Sequence, residues 1–188
     1  MNSLSTKGRT VSIRNRLPQL SQLLAVYAIG TIFIYTWTLL WFFWKLPSWL
    51  FYLNLGEILT SLAYALTLNL FEAVLAASIP VLVAFILPHK WFLETFIARG
   101  ATLLASLLAY TAYVLYRFPV KEEPPLHLMT TRTPQILIAT VLLVFAAGRL
   151  PFLRKTIESI ADRAIVLLYL FVPMSLISAL VVLIRNIF

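Results

Sequence analysis

The chain contains no cysteine, which excludes disulfides, thiol nucleophiles and cysteine-ligated metals and leaves the redox compartment unreadable. Histidine is almost absent: His89 and His127 are the only two, and both fall in loop-like sequence. A zinc site needs three or four convergent ligands, and a haem or pigment helix needs an axial histidine inside a span. Neither pattern occurs, nor does HExxH, GxSxG or a glycine-rich phosphate loop. A protein without metal or cofactor is therefore expected. Charge is also scarce, with 15 basic and 7 acidic residues among 188.

Apolar side chains take their place. Hydrophobic residues make up 61% of the chain and the mean hydropathy is +0.91, outside the balance of a soluble domain. A bilayer core of roughly 30 Å needs about 20 apolar residues per helix. Four runs reach that scale, Leu17 to Trp44, Ile58 to Leu87, Gly100 to Tyr116 and Ala164 to Ile184. A fifth, Pro134 to Gly148, spans only if Arg149 snorkels from its end and Leu150 to Leu153 continue it. Barrel strands would show ~10-residue alternating segments instead. The expected fold class is an all-α integral membrane protein, a bundle of five transmembrane helices with short loops.

The expected boundaries are a basic tail over 1–16 and a single transmembrane domain over 17–188. Its helices are placed at about 20–44, 58–87, 97–117, 134–153 and 164–185, with a loop at 118–133 and an amphipathic segment at 150–163. Lys7, Arg9, Arg14, Arg16, Lys90, Arg99, Arg149, Arg154, Lys155 and Arg163 fall on one side of these spans. Lys45, Arg117, Lys121, Arg132 and Arg185 fall on the other. Ten against five puts the N-terminus in the cytoplasm and the C-terminus outside, and makes the loop at 118–133 external and the amphipathic segment cytoplasmic. The net charge of +8 is thus read as topology, and no nucleic-acid partner is expected. The first span is too long for a signal-peptide core and is expected to be an uncleaved anchor. Asn2 after Met1 excludes myristoylation. A multi-pass protein of the cell inner or plasma membrane is expected.

Proline and tryptophan punctuate the spans. Trp37, Trp41, Trp44, Trp49 and Tyr52 crowd the outer end of the first span like an aromatic belt. Pro47 is expected to end that helix, leaving 46–57 as a short interfacial or re-entrant piece, and Pro80 to kink the second.

Polar residues inside the spans recur at helical spacing. Tyr27, Thr31, Tyr35 and Thr38 do so in the first, Ser61, Ala65, Asn69, Glu72 and Ala76 in the second, and Thr102, Ser106, Tyr110, Tyr113 and Arg117 in the third. Small and hydroxylated residues let membrane helices approach and bond, so the three stripes are expected to face one another. Leu59, Leu62, Leu66 and Leu70 then form the lipid-facing set of the second span. Glu72, Asn69, Ser61, Tyr35, Thr31, Tyr110, Tyr113 and Ser106 become one intramembrane polar cluster. Within it Glu72 is expected to be buried and neutral, hydrogen-bonded to a Tyr or Thr hydroxyl, because no Lys or Arg lies near mid-span.

In the amphipathic segment Leu153, Ile157, Ile160 and Ala164 share a face, and Arg154 can pair with Glu158. A helix in the headgroup layer is expected there, with Arg154, Lys155, Glu158 and Arg163 available to headgroups or a partner. Three functions compete. The foremost is a non-catalytic membrane subunit or scaffold whose partners are the bilayer, other membrane-protein chains and lipids between helices. The second is a proton- or ion-coupled transporter or channel component using Glu72. The third is a lipid-modifying enzyme at the outer surface, drawing on Glu57, His127, Glu122 and Glu123, or on His89, Glu94 and Asp162 inside.

Overall fold

A computed structural model describes residues 18–118 and 126–187, with backbone alone at 89–90 and 126–129; within these residues all regular structure is helical. The elements are α1 (Leu20–Trp49), α2 (Leu55–Ile86), the short α3 (His89–Phe92), a 3-10 turn (Leu93–Thr95), α4 (Phe96–Arg117), α5 (Leu126–Arg149) and α6 (Pro151–Ile187). α1, α2, α4, α5 and α6 are long and apolar enough to cross a membrane, which indicates a membrane location. The basic tail at 1–16 and Lys121, Glu122 and Glu123 lie outside the described residues, as do the side chains of His89 and His127.

Several boundaries differ from expectation. α1 runs through Pro47 to Trp49, so 46–57 is not a separate segment but the helix end, a turn and the start of α2. Asn54 starts α2 with a capping box: its side chain accepts the Glu57 N–H at 2.9 Å, and the Glu57 carboxylate accepts the Asn54 N–H at 2.9 Å. α2 also continues through Pro80, which is buried. The loop at 118–133 is shortened because α5 begins at Leu126 and carries Pro134 inside it.

The largest difference lies at α5 and α6. Leu150 alone separates them, and α6 is one helix of 37 residues, about 55 Å at 1.5 Å per residue. The amphipathic stretch at 150–163 is therefore mostly the opening turns of α6. Its Arg154–Glu158 ion pair forms at 2.9 Å. Ile157 and Ile160, however, line an apolar groove with Ala101 and Ala105 of α4 and Leu143 of α5.

Packing is inverted relative to a soluble bundle. The buried residues are mostly small: Ala25, Ala28, Gly30 and Thr31 on α1, Ala73 and Ala77 on α2, Ala98, Gly100 and Ala101 on α4, Ala164, Ser175 and Ser178 on α6. Leu40, Leu68, Phe71, Leu75, Leu142, Val166, Leu170 and Leu180 point outward. Large apolar residues on the perimeter and small ones inside are what helices packing in lipid require. α1 is central, touching α2, α4 and α6, while α5 lies against α4 and α6. Gly100 marks a three-helix convergence: a Cβ there would stand 3.2 Å from Val26 and 3.4 Å from Pro80, so α1, α2 and α4 meet at a point where only hydrogen fits comfortably.

Candidate functional site

Size, not polarity, selects the buried face of α2. Leu66, Asn69, Ala73, Ala77, Pro80 and Ala84 are buried. At about 100° per residue this stripe is rotated roughly a quarter turn from the one expected through Ser61, Ala65, Glu72 and Ala76. Leu66, expected toward lipid, is instead packed with Ile34 and Tyr35, and Leu62 lies against the same cluster. Asn69 falls on both stripes and is the polar residue that α2 buries. Glu72 falls at the rim and is exposed.

The expected polar cluster consequently divides. The Thr38 hydroxyl of α1 donates to Asn69 Oδ1 of α2 at 2.9 Å. The hydroxyls of Tyr35 and Ser175 are hydrogen-bonded across α1 and α6 at 2.5 Å, with both residues fully buried. Tyr110 of α4 pairs with Thr133 of α5 at 2.6 Å. Thr31, Ser61 and Ser106 turn back on their own helices, donating to the carbonyls of Tyr27, Glu57 and Leu103. Tyr113 is exposed. Ser175 and Thr133 were not foreseen as partners. A signal for Ser175 existed, since Ala161, Ala164, Leu168, Ser175 and Ser178 recur at helical spacing.

Glu72 is the correction that matters most. It lines a groove of about 100 Å³ between α1 and α4, with Ile34, Trp37 and Thr38 on one wall and Leu108, Thr111 and Leu115 on the other. It thus faces the two helices expected to meet it, yet it is not enclosed. No hydrogen bond or ion pair joins its carboxylate to the described residues. Of the hydroxyls lining the groove, Thr38 is committed to Asn69, and Thr111 donates to the Leu107 carbonyl at 3.0 Å. The carboxylate lies seventeen residues from Leu55 and fourteen from Ile86 along α2, more than about 20 Å from either end. Across the groove stands Leu115, two residues before α4 ends at Arg117.

From this groove an aromatic ladder climbs α1 toward its C-terminal end. Trp37 and Trp41 have ring centroids 5.9 Å apart, Trp41 and Trp44 5.3 Å. Trp37 belongs to both the Glu72 groove and an open apolar recess with Trp41, Trp44 and Tyr116. Of the candidates for catalysis, Glu57 is held in the cap of α2. No group of three metal-ligating side chains exists among the described residues. Arg154 and Glu158 pair with each other on the exposed face of α6, where Lys155 and Arg163 are also exposed.

No protein-family model, curated protein or solved structure matches the chain.

Proposed function

We propose that the protein is a non-catalytic, multi-pass membrane subunit that binds a second membrane chain through the groove at Glu72. On this reading α1, α2, α4, α5 and α6 are five inserted spans of an inner or plasma membrane. The N-terminus is cytoplasmic and the C-terminus outside, the orientation favoured by ten basic residues against five.

The observation that supports it is the open position of Glu72 midway along α2, without a partner among the described residues. A charged residue at the centre of a membrane helix costs on the order of 3 kcal/mol on insertion scales. Such a group is retained where something meets it, and what meets Glu72 must come from outside the described chain. The occupant that fits is a transmembrane helix with a lysine, arginine or amide donor at mid-span, seated between α1 and α4. Trp37 and Trp41 offer that helix the flat, rigid surface on which interface energy concentrates. An ion relay would need a second titratable group along its path, and the groove offers none beyond Glu72.

Purification of the full chain in mild detergent tests the reading. Native mass spectrometry is expected to find a second membrane polypeptide in fixed stoichiometry. Glu72→Leu is expected to release it while the helical circular dichroism stays unchanged. A wild-type chain running only as monomer or homo-oligomer refutes the reading. A Glu72→Gln variant that assembles normally but loses a proton-dependent flux supports the transporter in its place.

A further inference from the structure

At the opposite end of α4 a second polar group lacks a partner, and its chemistry is the reverse of Glu72. Arg99, in the first turn of α4, is half-buried, and its Nε is enclosed without a hydrogen-bond acceptor among the described residues. The guanidinium lies directly over Gly148 of α5, where an added Cβ would overlap it. One turn before Arg99, the Thr95 hydroxyl is also buried and without a partner. Thr95 occupies the N-cap of α4 but makes no side-chain cap, so the first turn of that helix keeps N–H groups its cap residue does not satisfy.

Next to Gly148, Arg149 folds back over the Phe145 ring, its guanidinium carbon 4.6 Å from the centroid. Glu94, the acid nearest to Arg99 in the chain, is exposed and forms no ion pair with it. Arg99 lies over Gly148, whose neighbour in the chain is Arg149, so two arginines stand on adjacent helices with the Arg99 Nε left without an acceptor among the described residues. A buried N–H without an acceptor costs about 1–3 kcal/mol, more when charged. An anion with several acceptor oxygens meets that donor, and the planar guanidinium suits phosphate oxygens in pairs.

We propose that Arg99 and Arg149 bind a phosphate group where α4 begins and α5 ends, presented by the headgroup of an anionic phospholipid. Thr95 supplies a hydroxyl donor beside it. Basic pockets between membrane helices hold phospholipid headgroups by this chemistry. Gly148 is the feature that makes room: without it the Arg99 side chain could not lie across α5.

The test places the full chain in nanodiscs of phosphatidylcholine and follows its thermal unfolding as phosphatidylglycerol is added in phosphate-free buffer. The wild type is expected to gain stability with a saturable midpoint. Arg99→Gln and Arg149→Gln are each expected to move that midpoint about tenfold or more, the loss of one charge-assisted hydrogen bond. Gly148→Ala, which keeps both charges but displaces the Arg99 guanidinium, is expected to weaken binding in the same direction and serves if Arg99→Gln does not fold. Lys155→Gln, removing an exposed cation elsewhere, is expected to leave the midpoint in place. Inorganic phosphate added to pure phosphatidylcholine discs separates the sources. Saturation by millimolar phosphate sustains the anion site but assigns it to a soluble ion; no response sustains the headgroup. A midpoint that Lys155→Gln moves as far as Arg99→Gln, or a response to neither anion, overturns the proposal.

Discussion

Two seams of the bundle contain the same kind of residue and use it in opposite ways. Where α1 meets α6, Tyr35 and Ser175 are fully buried and bonded to each other, and the Tyr35 ring lies 4.7 Å from that of Phe171. Where α1 meets α4 beside α2, Glu72 lines an open groove and bonds to nothing described. Asn69, three residues from Glu72, accepts from Thr38 at the contact of α1 with α2, while its Nδ2 is buried without a partner among the described residues. In an apolar surround a polar group needs a partner. Tyr35 and Ser175 supply each other's, whereas Glu72 finds none among the described residues. The bonded Asn69 and the open Glu72 are thus separated by about 60° of rotation on one helix.

Substitutions should pull the two seams apart. The largest effect is expected at the closed seam from Ser175→Leu, which adds volume where none is available and strips the Tyr35 hydroxyl of its partner. A loss of about 3 kcal/mol or more is expected in a reversible detergent-denaturation assay. Glu72→Leu should act differently, leaving the isolated chain at least as stable as wild type, because the exposed carboxylate makes no bond to the described residues that could be lost. A destabilised Glu72→Leu chain would mean that Glu72 is internally bonded and the contrast between seams is wrong. Tyr35→Phe removes one buried hydrogen bond and should cost about 0.6–1.7 kcal/mol, the range for bonds between membrane helices. Arg154→Ala breaks an exposed i,i+4 pair and should fall within about 0.5 kcal/mol of wild type by the same assay.

How much of this was legible in the sequence follows from which physical quantity each feature depends on. Five apolar helices could be read directly, because spanning length and hydropathy are local properties of the runs themselves. Helix ends were harder: α1 passes Pro47 and α5 contains Pro134, since a proline removes one hydrogen bond that a long helix can lose. The continuity of α6 was hidden because the charges at Arg154, Lys155, Glu158, Asp162 and Arg163 divide its composition but not its backbone.

The polar stripes were legible as patterns and misread as a cluster. Helical spacing shows which residues share a face, whereas the choice of face depends on the shapes of neighbours distant in sequence. Pro80 wins the interior of α2 because Val26 and Gly100 come so close there, and Ala73 because Ile34 and Tyr35 pack on its side. Nothing in residues 61–76 alone records that approach. The isolation of Glu72 from basic residues was readable, and it retains its force with the carboxylate at the rim.

Photocrosslinking in intact membranes addresses the occupancy of the groove most directly. A photoreactive amino acid at Leu115, on the groove wall beside Glu72, is compared with one at Leu180, on the exposed face of α6. Position 115 is expected to capture a second membrane polypeptide with a basic or amide residue at the centre of its span, and to lose it in the Glu72→Leu background, while position 180 captures lipid. Lipid alone from both positions, or a polypeptide adduct that persists without the carboxylate, would contradict a docking role for Glu72.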